Sequence, residues 1–399
     1  MSRHNRRSVP AFLKGPGRTA DQPVLLERPV TEGLPPLVTS VKGLVEVVLG
    51  PRLRALASDH GGYSYDPCGL FLVLLFGYLQ GIRSSRRLEE ACKFDRRYEY
   101  LSDGVQPDHA TLARLRRRAG CEIEDLFLLV CQEAERRGVL ERRAMVVDGT
   151  KVAAVRNQWK RALKEAEEVD ALEDEAQTML SNGKYLVGYN LQVAADASSG
   201  MIVGYVASSC ATDRNLMGQV ADSVERQSGG LPQKAVADRG YDSGQNAQAL
   251  TDKGVEAVLP AIKPRQAPFT KDDQGRVVCP AGHVAKTYYY NERKTGLRLR
   301  YRVTGCAQCP LRVACGATGR RRELTVTASA PTQARLQANA RCETEEGRTL
   351  LRLRGPTIER VFGQFKGNQG FRRLLLRGLS GATVELGLLA LGFNLRALI

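Results

Sequence analysis

Three acidic residues stand in settings suited to holding hard cations. They are Asp148 in AMVVDGTKV, Asp238 in KAVADRGYDSG and Glu359 in TIERVFGQFKGNQG. Asp148 and Asp238 each end a short apolar run that reads as a buried strand, and each is followed at once by Gly or by Arg-Gly. Loops at strand ends are where mixed α/β sheets place ligands. Two such strands, if neighbours, bring two carboxylates close together, and like charges that close repel unless cations bind between them. Glu359, on a helix crossing the same edge, would complete an all-oxygen donor set of the kind Mg²⁺ prefers, and two such ions can cut and rejoin a phosphodiester backbone. Taken singly, an Asp before Gly is an ordinary turn former, and Glu359 is a first-turn helix residue favoured by the helix dipole. Their joint occurrence is what points to a site. Lys366 lies seven residues after Glu359 in the same helix-like stretch.

A second constellation is rich in sulfur. Cys279 in VVCPAGH is followed by Cys306, Cys309 and Cys315 in CAQCPLRVAC, with His283 as a spare donor. A C-x2-C pair with two further thiols fits tetrahedral structural Zn²⁺, although the spacing is looser than in a paired ribbon. Buried free cysteines are the alternative. Cys68, Cys92, Cys121, Cys131, Cys210 and Cys342 are scattered and read as structural.

A third is basic. DHATLARLRRR places Arg114, Arg116, Arg117 and Arg118 on one short helix, and with RSSRRLEEA before it the pair is compatible with a helix-turn-helix-like DNA grip. A solvated basic face is the competing reading. His109 reads as a capping or packing residue, and Trp159 in RNQWKRALK as an apolar anchor for its own helix.

The elements that must position these residues follow from periodicity and breakers. Residues 1–40 read as a flexible basic tail. Residues 41–138 read as an all-helical DNA-binding domain, with a buried helix after Pro67, a helix capped by Ser84 or Ser85, a helix opened by Pro107-Asp108 and an amphipathic helix stopped by Gly138. Residues 139–399 read as an α/β unit. It holds a hairpin turned at ASSG, then a strand, helix and strand implying a parallel pair in a mixed sheet. A Cys-rich insertion at 264–330 interrupts it, and helix resumes from Thr357 after Pro356.

The 399 residues carry 59 Lys and Arg against 43 Asp and Glu, a net charge of +16, so a polyanion is the expected partner. The N-terminus lacks the apolar stretch of a secretory signal. The apolar runs GLFLVLLFGYL and LGLLALGFNL fall short of the ~20 residues a bilayer requires. No membrane partner is expected. The expected location is cytoplasmic, with the cysteines reduced.

In the order of its longer strings the chain resembles the DDE-type transposases of bacterial insertion sequences. YDPCGLFLVLLFGYLQGIRSSRRLEEACKFDRRYEYLSDGVQPDHATLARLRRR resembles their helical N-terminal domain. VVDGTKV and VADRGYDS resemble the first and second Asp motifs, and ERVFGQFKGNQGFRRLLLRG with VELGLLALGFNL resembles the third block and closing helix. The resemblance implies an RNase H-like catalytic domain, a mixed sheet flanked by helices. It implies two Mg²⁺ ions, with Mn²⁺ able to substitute, on Asp148, Asp238 and Glu359. It implies cleavage at inverted-repeat ends and strand transfer into double-stranded target DNA, by an enzyme that oligomerises when pairing ends. Lys366 matches the family's Lys two turns after the Glu on the same helix face, which implies contact with a DNA phosphate; the plain reading is a solvated surface Lys. Arg352 and Gly355 stand where the family has a tyrosine and an arginine; Arg354 or Arg352 is the substitute arginine. That departure sustains an alternative: a catalytically inactive transposase-derived DNA-binding protein.

Overall fold

A computed structural model describes residues 31–58, 65–118, 120, 122–155, 175–181, 183–262, 269–293, 296–317, 319–327 and 333–399. Most of the proposed tail and the Trp159 segment lie outside these residues. Seven helices come first: α1 (Pro36–Val48), α2 (Gly50–Ser58), α3 (Pro67–Leu79), α4 (Ser85–Phe94), α5 (Arg96–Leu101), α6 (His109–Arg118) and α7 (Ile123–Arg136). The first begins at Pro36, inside the stretch expected to be tail, because Pro suits the opening turn of a helix. Helix α3 is apolar all round and buried from Cys68 to Leu79, as a core helix should be. Asp108 holds the start of α6, its Oδ1 accepting from the N–H groups of Ala110 (2.8 Å) and Thr111 (2.9 Å). The expected serine cap on α4 is not made: Ser84 forms no side-chain capping bond. Ser85 instead accepts from Arg116.

The sheet is mixed. Its strands are β1 (Ala144–Ala153), β2 (Gln177–Ser181), β3 (Lys184–Asp196), β4 (Ile202–Ser208), β5 (Lys234–Val236) and β6 (Glu256–Val258). β1 runs antiparallel to β3, and β3 antiparallel to β2 and β4, whereas β1, β5 and β6 are parallel neighbours. Helix α8 (Met217–Ser228) precedes β5, and α9 (Gly244–Asp252) crosses from β5 to β6. The β3–β4 turn is tied by Asp196, whose Oδ2 accepts from the backbone and hydroxyl of both Ser198 and Ser199.

The Cys-containing stretch forms β7 (Thr270–Lys271), β8 (Val277–Val278), β9 (Lys286–Arg293), β10 (Gly296–Thr304), a short α10 (Arg312–Cys315) and β11 (Arg321–Thr327). It has its own small apolar cluster of Cys279, Ala285, Val303 and Cys306. Then come α11 (Gln333–Arg341), α12 (Glu345–Gly363), a π-helical turn at Gln364–Asn368 and α13 (Gly378–Ala397).

The N-terminal helices and the sheet share one core. A single contiguous apolar cluster runs from Val38 through β1, β3 and β4 to Leu398. Helix α13 is its keystone. It is longer than the apolar strings of the sequence suggest, and by length and composition it could cross a membrane, yet 78% of its most apolar window is buried inside the fold. Asn394 on α13 gives Nδ2 to the carbonyl of Ile202 (2.7 Å) and takes its N–H on Oδ1 (2.8 Å), satisfying edge strand β4. Glu385, also on α13, is fully buried. It accepts from the N–H groups of Leu375 (2.5 Å) and Leu376 (2.7 Å) and pairs with Arg83 at 3.1 Å. Burial pushes its carboxyl up, against those donors and the charge of Arg83.

Candidate active site

The register of β1 and β5 sets the two aspartates level. Val146 lies opposite Val236, so Asp148 and Asp238 each stand two residues beyond a paired position on adjacent parallel strands, which run about 4.8 Å apart. Asp238 follows the end of β5, as its apolar run implies. Asp148 does not end its strand: β1 continues to Ala153, because pairing with β3 persists through Ala153↔Gly188 after pairing with β5 has stopped at Val146. β5 instead turns away into a 3-10 turn at Arg239–Tyr241, where Asp238 Oδ1 accepts from Gly240 N at 2.7 Å. The opening left beside β1 is where Asp148 sits.

Asp148 Oδ1 accepts from the N–H of Gly149 (2.8 Å), and Oδ2 accepts from Arg354 Nη1 (2.9 Å). Burial pushes its carboxyl above the ordinary range, and the charge of Asp238 pushes it further; the Gly149 N–H and the Arg354 guanidinium oppose this. Tyr241, below the site, is driven well up, by burial first and then by the charges of Asp213, Asp148 and Asp238. Three carboxylates therefore act on one buried hydroxyl.

Glu359 is exposed on α12, its Oε1 3.8 Å from where a Gly355 side chain would begin. The helix starts at Glu345, capped by Thr344 Oγ1 at 3.0 Å from Gly347 N, and runs through Pro356. The start expected after Pro356 is thus wrong: the cap and the packing of Leu350 and Leu351 on Val236 and Val258 carry the helix past the proline's missing N–H. From there α12 crosses to β1. Lys366, in the π-helical turn, donates to the carbonyl of Lys151 (3.1 Å), and burial pulls its ammonium down. The chain beyond adds to the end of β1 through Leu374 N to Ala153 O (2.9 Å). Among the described residues, no three carboxylate, thiol or imidazole groups converge at cation-binding distance. Asp148 and Asp238 are brought together, and Glu359 stays a helical turn beyond Arg354. The Asp148–Asp238 pair is all-oxygen, electrostatically loaded and open on one side, a donor chemistry that fits Mg²⁺ or Mn²⁺.

The other sequence-derived sets fare differently. Arg116 faces inward, 5% exposed. It donates to the carbonyl of Arg83 and to Ser85 Oγ (3.0 Å), and stacks over Tyr78. It is a packing residue rather than a phosphate contact, because the helical period turns position 116 to the same side as Leu112 and Leu115. Arg114 is half-buried and donates to Thr111 Oγ1 (3.1 Å). Arg117 and Arg118 are exposed. Helices α4 and α6 pack together, but α5 lies between them in the chain, so the short connecting turn of a helix-turn-helix is absent. His109 donates its N–H to Glu89 Oε2 (3.0 Å) and sets Nδ1 against the same oxygen (2.7 Å). Cys279, Cys306, Cys309 and Cys315 line one pocket with His283. Arg322 Nη1, however, donates to Cys315 Sγ at 2.6 Å, and the thiols do not close into a ligand set. The zinc expectation gains no support from this geometry.

Sequence reasoning missed Asp213 and Asp242, and left Arg354 and Arg352 as alternatives. Asp213 accepts from Asn190 Nδ2 and Gln192 Nε2, both at 2.8 Å, and lies close to Gly149 and Gly240, which follow the two aspartates. Two amides at alternate positions of the apolar strand β3 were the available signal, since alternate residues share a face. Arg354 reaches Asp148. Asp242, fully buried, is clamped by Arg335 through two 2.7 Å contacts and accepts from Asn339 and the Ile262 N–H. This ties α11 to the second-Asp loop.

Comparison with known proteins agrees at both ends of the chain. The family model "Transposase domain (DUF772)" matches residues 36–118, and "Transposase DDE domain" matches residues 278–399. The second match holds Glu359 and Lys366; Asp148 and Asp238 lie outside both. Among curated proteins none matches. Among solved structures, a piggyBac transposase synaptic complex with hairpin DNA is similar at 9% identity and a TM-score of 0.33, over 90% of this chain and 71% of that one. Transposase family models thus match the chain's N-terminal helices and its C-terminal third, and the two matches together support a DDE-type transposase.

Proposed function

We propose that this chain is the transposase of a bacterial insertion sequence, cutting double-stranded DNA at inverted-repeat ends and joining the freed 3′-OH to target DNA. The observation that carries this reading is the level placement of Asp148 and Asp238 on adjacent parallel strands, with α12 crossing the same edge. The sheet order, antiparallel β1 to β4 followed by β5 and β6 parallel to β1, supports reading the sheet as RNase H-like. Asp148, Asp238 and Glu359 would hold the divalent ions, which when bound polarise water and stabilise the attacking and leaving oxygens. Arg354, one residue before the glycine that stands in the place of the family's arginine, is the basic residue held against Asp148. Lys366, with Arg117, Arg118 and the overall charge of +16, supplies DNA contacts whose strength falls with salt. Pairing two DNA ends calls for at least two copies of the chain. The reading places the protein in the cytoplasm, at the nucleoid.

The test is strand cleavage and joining on DNA bearing the element's own ends, with Mg²⁺ or Mn²⁺. The parent forms cleaved and joined products; Asp148→Ala, Asp238→Ala and Glu359→Ala form none. Equal product from these variants removes the assignment. A folded parent that binds end DNA without cutting it favours the inactive, DNA-binding alternative.

A further inference from the structure

Asp213 has no part in the set of residues just proposed, yet it is tied both to the strand beside Asp148 and to the loop that carries Asp238. It follows β4 and precedes α8, in a loop pinned from two sides. Ser243 Oγ donates to the carbonyl of Arg214 (2.6 Å), and Asn246 Nδ2 donates to the carbonyl of Asp213 (3.4 Å) while holding Tyr241 O at 2.9 Å. The backbone of Asp213 is therefore fixed to the loop that carries Asp238. Its side chain is fixed to the strand beside Asp148. Oδ1 takes both amide donors from Asn190 and Gln192, whose side chains are fully buried. Tyr241 O–H in turn donates to Gln192 Oε1.

The packing against Gly149 is close. A side chain begun at Gly149 would stand 2.2 Å from Gln192 Nε2 and 2.7 Å from Asp213 Oδ1. Only a glycine after Asp148 lets this carboxylate–amide group come so near. On the other side, Asp238 Oδ1 and Asp213 Oδ2 lie 2.9 and 3.8 Å from the point where a Gly240 side chain would begin. Oδ1 is thus spent on the amides, and Oδ2 lies on the Gly240 side, toward the loop that carries Asp238.

We propose that Asp213 is a positioning residue of the divalent-cation pocket. Through Asn190 and Gln192 it holds the Asp148–Gly149 segment level with Asp238, and its charge beside Asp238 raises the pocket's affinity for a dication. This rests on the reading of Asp148 and Asp238 as cation ligands. A neutral scaffold could position Gly149 equally well. The amide bonds need only an oxygen acceptor, so the charge of a third carboxylate near an already repelling pair goes beyond packing, and a positive charge among them relieves it.

The experiment uses the full chain and Mn²⁺ alone, without DNA. Asp213→Asn keeps an oxygen for both amide donors and removes the charge. The expected result is a Kd for Mn²⁺ raised at least tenfold, with the Tm of the metal-free protein within a degree or two of the parent. In DNA cleavage the Mn²⁺ concentration for half-maximal rate rises similarly, while the rate at saturating Mn²⁺ stays within about threefold. Asp213→Ala, which also drops both amide bonds, lowers the metal-free Tm as well. The rise in Tm on adding Mn²⁺ is read against each variant's own metal-free value, so a loss of stability does not hide a loss of binding. Asp148→Asn is the control. If Asp148→Asn abolishes Mn²⁺ binding and Asp213→Asn binds like the parent, the role given to Asp213 is overturned alone. If Asp148→Asn also binds like the parent, the underlying site is overturned with it.

Discussion

Arg354 Nη1 lies 2.9 Å from Asp148 Oδ2, joining helix α12 to strand β1 across 206 residues of sequence. The guanidinium places a fixed positive charge on the carboxylate whose burial and neighbour both favour protonation. It also answers a question left by the sequence, where Gly355 stands in the position of an expected arginine. One residue earlier on the helix, Arg354 approaches the aspartate from the side, and Arg352 stays exposed.

Removing that charge has a signed effect on pH dependence. Arg354 and the Gly149 N–H lower the Asp148 carboxyl, while burial and Asp238 raise it. Cation binding needs the deprotonated form. Arg354→Gln therefore moves the acidic limb of the metal-dependent cleavage profile to higher pH, and Arg354→Lys moves it less. The measurement is cleavage rate against pH at fixed Mg²⁺; an unmoved limb in Arg354→Gln would deny the electrostatic role.

Loss of either aspartate is expected to be far more severe than loss of Arg354. Asp148→Ala and Asp238→Ala each lower the strand-cleavage rate at least about 1000-fold, several kcal/mol of transition-state stabilisation. Circular dichroism and thermal melts establish that the variants fold.

Gly149→Ala tests the close approach on the other side of Asp148. The new methyl would stand 2.2 Å from Gln192 Nε2 and must displace it. A loss of roughly 1–3 kcal/mol of stability is expected for overpacking of this kind, with reduced cleavage at limiting metal. An unchanged Tm with full activity would show that the amide cluster can shift freely.

The Asp242–Arg335 clamp predicts a stability effect separate from chemistry. Burial works against the Asp242 charge, but the Arg335 pair, the Ile262 N–H and Asn339 outweigh it and hold the carboxyl below its usual range. A carboxyl lowered on folding contributes stability above its unfolded pKa of about 3.9, and that contribution is lost as pH falls toward the folded value. Arg335→Met, which leaves Asp242 buried without its main partner, costs about 3 kcal/mol at neutral pH. Asp242→Asn flattens the acid side of the stability profile. Chemical denaturation across pH checks both.

The pair of Glu89 and His109 makes a milder test of the same kind. Bonds from Lys93 and His109 hold the Glu89 carboxyl down to about 2. Its contribution is present above the ordinary carboxylate range and fades as pH drops toward 2. Both partners lie near solvent, so Glu89→Gln should cost less than about 1 kcal/mol at neutral pH.

Much of this molecule was legible in order along the chain. Apolar runs marked β1, β5 and β6, the alternation around α9 marked a parallel pair, and Pro67, Asp108 and Gly138 marked helix ends, because these signals are local. The amide pair Asn190 and Gln192 was visible only as a polar interruption of a strand, since its partner Asp213 lies over 20 residues away. The inward turn of Arg116 was hidden in a run of like residues, where type is uniform and only the packed face distinguishes one from the next.

By itself the sequence determined which carboxylates sit at strand and helix positions able to project them, and the basic charge that suits a polyanion. Tertiary structure alone decided that Asp148 and Asp238 stand level, that Arg354 rather than Arg352 reaches Asp148, that Asp213 joins them, and that the four thiols share a pocket without closing on one another. Register, crossing direction and the choice among neighbouring side chains depend on contacts between segments remote along the chain, and no local pattern of residues encodes the distance between two strands that meet only when the core forms.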